Sequence, residues 1–190
     1  MSDVSALFDL PPVAPEGFRY RDDFVSPAEE AELDARLAGL AFEPFQFRGY
    51  EGRRRVVSFG LRYDFNGPGL VDAEPMPEWL LPVRDRAAAF AGLAPEAFQH
   101  VLINEYREGA PIGWHRDRPV FEKVVGVSLL SPTVMRFRRR AGERFERINT
   151  PLAPRSAYLL DGPARLHWEH SLPEAKAHRY SITFRNLRAS

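Results

Sequence analysis

Residues 98–130 read FQHVLINEYREGAPIGWHRDRPVFEKVVGVSLL, and this stretch decides the fold. Apolar residues alternate through FQHVLINEYR, and a break with Gly109 and Pro111 follows. IGWHRD resumes the alternation, and after Pro119 the run KVVGVSLL is apolar and β-branched. Short pieces of this kind, bounded by Gly and Pro, read as strands. The pattern continues through TVMRFRRR, ERFERINT, SAYLLD, LHWEH and HRYSITFR, with turns rich in Gly, Pro or Asn between them. Eight short strands at close spacing predict an antiparallel barrel or jelly roll.

Working upstream, Ser26-Pro27-Ala28-Glu29 announces a helix, with Ser26 as cap, Pro27 at the first helical position and Glu29 completing a capping box. Leu33, Leu37 and Leu40 follow at helical spacing, and Gly39 is the expected stop. From Phe42 to Tyr63 the pieces FEPFQFR and RRVVSFGLRY read as strands around a turn at Tyr50-Glu51-Gly52. Residues 64–77, DFNGPGLVDAEPMP, read as a loop full of breakers. A second helix is expected from Glu78 to Ala91, with Leu80, Val83, Ala87 and Phe90 on one side and Pro82 tolerated near its start. The expected class is therefore mainly β with flanking helices (α+β), the N-terminal helices packed on one sheet. Residues 1–17 read as a loose leader and 18–190 as a single domain.

A chain of 190 residues fits one domain with a sizeable core. With 44% hydrophobic and 27% charged residues, wholesale disorder is excluded. The absence of cysteine excludes a disulfide partner, thiolate metal sites and a cysteine nucleophile. No apolar run approaches the roughly 18 residues of a membrane helix. The opening MSDVSALFDLPPVAPEG lacks the basic and apolar regions of a signal peptide, so the expected location is cytoplasmic, and the chain is expected to be a monomer. The net charge of zero conceals a division: residues 1–100 carry 10 basic and 17 acidic side chains, whereas 101–190 carry 16 and 9. Lysine occurs only at Lys123 and Lys176, so 24 of the 26 basic residues are arginine, from codon bias or for the fork geometry that suits phosphate and carboxylate.

His115-Arg116-Asp117 is the first chemical signal. On a strand, residues i and i+2 point to one face, so an imidazole and a carboxylate converge. A third ligand would complete the two-histidine, one-carboxylate triad that holds non-haem Fe(II) with positions open. A His-x-Asp is short enough to arise by chance and needs its context. Upstream, Asn104 and Tyr106 share a strand face. Downstream come RLHWEHSLP at 165–173 and RYSITFR at 179–185. In the latter, Arg179, Ser181, Thr183 and Arg185 share one face and Tyr180, Ile182 and Phe184 the other. Two arginines on one face of an otherwise apolar strand require anionic partners if buried, and a small dicarboxylate is such a partner.

The ordered combination NEYREGAPIGWHRDRP, RLHWEHSLP and RYSITFR resembles the AlkB family of Fe(II)- and 2-oxoglutarate-dependent dioxygenases over roughly residues 98–186. A weaker similarity runs through RRRVVSFGLRYDF at 53–65. The resemblance implies a double-stranded β-helix, the jelly roll already suggested by the strands. It divides the domain into residues 18–97, helical support and a substrate lid, and 98–190, the catalytic core. It makes His115, Asp117 and His170 the iron ligands, with His167 and His178 as rivals for the third place that the WEHSLP match disfavours. It implies that Arg179, helped by Tyr106, binds the distal carboxylate of 2-oxoglutarate, and that Arg185 with Asn104 holds the carboxylate nearest the iron. Ser181 stands where some members carry asparagine. With O2 as cosubstrate, the implied reaction decarboxylates 2-oxoglutarate to succinate and hydroxylates a C–H bond, and an N-methyl group so hydroxylated leaves as formaldehyde.

Members of the family act mostly on alkylated nucleic acid bases, and some on protein or lipid. A base must leave its stack to reach a buried metal, which calls for an aromatic platform and cationic contacts. Phe45, Phe47 and Tyr50 stand beside Arg48, Arg53, Arg54 and Arg55, with Trp114 and Asp117 as further candidate substrate contacts. The bland reading makes Phe45 and Phe47 the core face of a strand. The run Arg136-Phe137-Arg138-Arg139-Arg140 is either a solvated strand end or a phosphate rail. Arg118-Pro119-Val120-Phe121-Glu122 departs from the best-known repair members, which carry further acidic residues there. Two alternatives remain: the same oxygenase chemistry on a protein or small molecule, and a non-enzymatic jelly-roll binding module.

Overall fold

The computed structural model describes residues 14–47 and 49–189. In chain order the strands are β1 (Phe18–Arg21), β2 (Glu43–Phe47), β3 (Tyr50–Phe59), β4 (Leu61–Asp64), β5 (Gly69–Asp72), β6 (Phe98–Tyr106), β7 (Ile112–His115), β8 (Phe121–Leu129), β9 (Thr133–Ala141), β10 (Arg144–Leu152), β11 (Ser156–Leu160), β12 (Glu169–Leu172) and β13 (Arg179–Leu187). The α-helices are α1 (Pro27–Ala38), α2 (Leu81–Ala91) and α3 (Gly162–Leu166). Among the described residues no helix is long and apolar enough to cross a membrane.

Two antiparallel sheets face each other as a jelly roll. The larger runs β1-β11-β8-β13-β6-β3-β2 and the smaller β10-β9-β12-β7. One face of the larger sheet presents Val101, Ile103, Val125, Val127, Ile182 and Phe184 to the two long helices. The other face packs Tyr106, Val124 and Tyr158 against Met135, Phe137 and Trp168 of the smaller layer. The period-2 pattern of β13 therefore serves two cores at once, with apolar residues toward the helices and polar ones toward the space between the sheets. The larger sheet also draws β1, β2 and β3 from the N-terminal half, which ties both halves into one core.

Helix α1 forms as its sequence dictates. Ser26 Oγ accepts from the Glu29 amide, the Glu29 side chain accepts from the Ser26 amide, and Gly39 closes the helix. Leu33 and Leu37 are its buried face. The second expected helix begins with one 3-10 turn over Glu78–Leu80 before α2, and it ends at Gly92, whose φ of 70° is the left-handed stop.

Four expectations change. The expected turn at Tyr50-Glu51-Gly52 is not found, because Tyr50 already belongs to β3 and pairs with Phe47, and Gly49 before it carries a positive φ of 80°. The stretch 64–77 is not all loop, since β5 pairs with β4 as a hairpin. LHWEH is not all strand: Leu166 ends α3, and β12 begins only at Glu169. Residues 1–13 of the expected leader lie outside the described residues. Residues 16–17 are tied down, their carbonyls accepting from the amides of Ala164 and Asp161.

Candidate active site

His115 ends β7 and His170 lies directly opposite it on β12. Asp117 follows two residues after His115, beyond the end of the strand. The strand argument for its direction therefore does not apply, and a buried ion pair orients it instead. Arg185 Nε, from β13 of the larger sheet, donates to Asp117 Oδ2 at 2.5 Å. This leaves Oδ1 toward the histidines, 3.7 Å from His115 Nε2 and 3.6 Å from His170 Nε2. One ligand atom from each residue lies within 4.8 Å of the others. His115 Nδ1 sits 2.9 Å from the Gly113 carbonyl, to which it donates as the protonated nitrogen. The Nε2 lone pair is then free for a metal.

The charges suit a cation at this point. Burial lowers the basicity of His115, and it pushes His170 down to about 3, with its imidazole neighbour adding to the effect. Both rings are neutral donors at ordinary pH. Burial alone would raise the Asp117 carboxyl, but Arg185 and the two imidazoles outweigh it and hold the group well below the usual carboxylate range. Two neutral imidazoles and a carboxylate with three open positions fit Fe(II).

The rivals are elsewhere. His178 Nε2 lies 3.2 Å from Glu105 Oε1 and its ring packs on Tyr180, toward the opposite face of β13. His167 is the exposed cap residue of α3.

The residues expected to hold the cosubstrate share one face of β13 and β6. Arg179 pairs in register with Tyr106 and Ser181 with Asn104. Arg179 is 2% exposed, its Nε donates to Ser128 Oγ at 3.0 Å, and its guanidinium lies 5.1 Å from the Tyr106 ring centre. Its Nη1 and Nη2 are buried without a hydrogen-bond partner among the described residues. A cation buried with two open donor nitrogens is costly unless an anion completes it. A carboxylate presented across those two nitrogens is the group that fits. Ser181 Oγ contacts Thr183 Oγ1 at 3.3 Å. Asn104 Oδ1 accepts from Arg54 Nε of β3 at 3.0 Å, and Asn104 and Arg185 line the same cavity.

A cavity of about 610 Å³ opens over the triad, lined among others by Tyr106, Ser181, Arg185, Phe45, Phe47 and Trp114. Its outer wall is aromatic. Phe65 stands 5.5 Å from Phe45, 5.3 Å from Phe47 and 5.0 Å from Tyr63, ring centre to ring centre. Arg54 stacks on Phe45 at 3.6 Å, and Arg118 covers Tyr63 and Phe65 at 4.9 and 4.8 Å. Phe45 and Phe47 therefore belong to the cavity wall and not to either core, with Phe47 37% and Tyr50 67% exposed. Arg53 also lines the cavity, where its Nη1 donates to the Gly109 carbonyl at 2.9 Å and to Glu174 Oε1 at 3.3 Å. Arg48 lies outside the described residues.

Sequence reasoning missed Tyr63, Phe65, Ser128 and His100. The first two lay in or beside a stretch read as loop. His100 is buried, with Nδ1 3.5 Å from Arg185 Nη1, and its depression to about 3 comes first from burial and then from that guanidinium. The signals that could have found them were the i, i+2 alternation of Leu61–Phe65 and the shared face of His100, Leu102 and Asn104 on β6.

Comparison with known proteins agrees with this geometry. A family model described as the 2OG-Fe(II) oxygenase superfamily matches residues 18–185. Over 148 residues the chain is 32% identical to the probable RNA/DNA demethylase ALKBH6 of Danio rerio, covering 77% of this chain and 60% of that one. Over 143 residues it is 34% identical to the DNA oxidative demethylase ALKBH2 of Bos taurus, covering 67% and 50%. The chain thus spans about half to three fifths of the length of these curated relatives. The solved structure of OsALKBH1 superposes with a TM-score of 0.67 at 15% identity, covering 93% of this chain and 99% of that one. A 2OG-Fe(II) oxygenase family oxidoreductase from Burkholderia pseudomallei superposes at 0.62 with 18% identity, covering 91% and 86%. At those identities the superpositions speak for the fold.

Proposed function

The chain belongs to the 2OG-Fe(II) oxygenase superfamily and, within it, to the AlkB family, and from that membership we propose that it oxidatively removes alkyl groups from nucleic acid bases. Its cofactors are Fe(II) and 2-oxoglutarate. When bound, they couple reduction of O2 to decarboxylation of the cosubstrate and hydroxylation of a substrate C–H bond.

The side chains divide the work. His115, Asp117 and His170 hold the metal, and Arg185 keeps Asp117 ionised with Oδ1 turned inward. Arg179, fixed by Ser128 and backed by Tyr106, receives the distal carboxylate. Arg185 supplies positive charge beside the metal-proximal carboxylate, while Asn104 is held by Arg54 and links the lid strand to the cosubstrate shelf. No side chain need transfer a proton to the reacting carbon, so the protein's part is placement and exclusion of water. A hydroxylated N-methyl group then loses formaldehyde by its own chemistry.

One observation carries the choice of substrate: the wall of Phe45, Phe47, Tyr63 and Phe65, with Arg54 and Arg118 stacked on it, lines the same cavity as the metal-binding set. A flat, extruded base fits such a slot, its faces against rings and its phosphates against arginine. The names of the relatives, a probable RNA/DNA demethylase and a DNA oxidative demethylase, support the same reading. The test is formaldehyde release from methylated DNA and RNA oligonucleotides by the purified chain with Fe(II) and 2-oxoglutarate. Succinate formation without any formaldehyde from either polymer would overturn the nucleic acid assignment and leave the oxygenase assignment standing.

A further inference from the structure

The outer face of the smaller sheet carries a second feature that the cavity does not use. Along β9 the even-numbered residues Arg136, Arg138 and Arg140 point outward, because Met135 and Phe137 point into the core. Cross-strand register places Arg147 beside Arg138 and Phe145 beside Arg140. The arginines interleave with two rings. Trp114 lies 5.5 Å from the Arg136 guanidinium and 4.5 Å from that of Arg138. Phe145 lies 4.7 Å from Arg138, 5.9 Å from Arg140 and 5.6 Å from Arg147. Among the described residues the only carboxylate paired into this row is Glu169, on Arg138 at 2.6 Å. Arg140 and Arg147 have no carboxylate partner among the described residues.

We propose that this face is a track for single-stranded nucleic acid, leading along β10 and β9 to Trp114 and into the cavity mouth. The proposal rests on the nucleic acid reading above and names the surface that would hold the strand outside the cavity. Three observations favour it. Trp114 lines the cavity and also closes the arginine row, so the two surfaces are continuous. Outward residues of a strand recur every second position, about 7 Å apart, a step comparable with that between successive phosphates of an extended single strand. The rings hold the guanidiniums flat and fanned, which presents them both as phosphate donors and as stacking surfaces. An acidic peptide would meet the charges but would leave the planar surfaces unused.

The test uses the full chain and a fluorescently labelled oligothymidylate of about ten nucleotides, within the usual range of single-strand site sizes. This probe has no alkylated base, so the readout is anisotropy and not turnover. R140Q/R147Q is expected to weaken binding about tenfold at low salt. It should also reduce the slope of log K against log salt by about 1.4, roughly 0.7 for each phosphate no longer neutralised. R36Q/R84Q removes two charges from the helical side and should bind like the unaltered chain. Unchanged 2-oxoglutarate consumption without substrate would show that R140Q/R147Q is folded and loaded. Equal affinity and slope for R140Q/R147Q and the unaltered chain would overturn the track while leaving the demethylase reading intact. Equal losses in both double variants would also overturn it, reducing the effect to net charge. If the unaltered chain consumes 2-oxoglutarate but binds no oligothymidylate, the track falls, and formaldehyde release from methylated oligonucleotides decides the demethylase reading separately.

Discussion

Arg179 is the side chain whose environment makes the strongest demand. It is 2% exposed and two of its nitrogens have no hydrogen-bond partner among the described residues, so it is a buried cation that calls for an anion. Arg179→Met keeps most of the volume and removes the charge. It is expected to leave the melting temperature of the cosubstrate-free chain unchanged or higher, and to weaken 2-oxoglutarate binding by about tenfold to a hundredfold, the range for hydrogen bonds to a charged group. Thermal unfolding with and without cosubstrate checks both halves. His100 makes the opposite kind of demand. Burial and Arg185 depress it to about 3, so its neutral Nδ1 can accept from the guanidinium. The unfolded chain, with an ordinary histidine value near 6.5, binds the proton first. Stability of the metal-free chain should therefore be complete above about pH 6.5 and fall below it by up to about 1.4 kcal/mol per pH unit, down to about pH 3. Urea titrations at pH 7.5 and 5.0 should show that decline, and His100→Gln should flatten it by the share of one proton. The cluster of His115, Asp117 and His170 was legible in the sequence because each residue sits in a short ordered motif, as Arg179 and Arg185 do. Ser128 and His100 were not, because their roles depend on neighbours 51 and 85 positions away.

Elements were legible where a local rule fixes them. The capping box of α1 needs only residues 26–29, and Ser26→Ala should cost about 1 kcal/mol in urea unfolding. The eight strands from Phe98 onward were legible from short alternating or apolar β-branched runs bounded by Gly and Pro, though LHWEH was read as strand three residues too early. The β4–β5 hairpin was not, because its strands are four residues each and its turn, Asn66-Gly67-Pro68, makes the whole stretch look like loop. A hidden constraint lies in the apolar run of β8. A Cβ on Gly126 would fall within the ring of Tyr158, which crosses the strand there. Gly126→Ala is accordingly expected to destabilise the chain by about 1–3 kcal/mol, the usual range for overpacking, with the near-ultraviolet signal of the displaced tyrosine reporting the cause. Segment 118–121 offers a second case. Arg165, buried in α3, donates to the carbonyls of Arg118 and Phe121, so a helix of five residues fixes the chain just after the aspartate.

On the scale of the molecule, the zero net charge describes no surface at all. Arg54 from the acidic half and Arg118 from the basic half both stack on the cavity wall, Arg179 and Arg185 stand on the polar face of β13, and Arg138, Arg140 and Arg147 lie on the outer face of the smaller sheet. Mn(II) with 2-oxoglutarate should raise the melting temperature of the unaltered chain, in proportion to the logarithm of cosubstrate concentration once the site is saturated. The His115→Ala chain should lose most of that rise. The division of labour between the sheets has a kinetic meaning. The histidines belong to the smaller sheet and the arginines to the larger, with the Arg185–Asp117 pair crossing between them. Metal and cosubstrate together would rivet two layers otherwise joined by side-chain packing and that ion pair. Amide hydrogens on β12 and β13 should therefore slow together in the loaded protein and exchange only through global opening, so that the enzyme's lifetime is set by how long it keeps its cofactors.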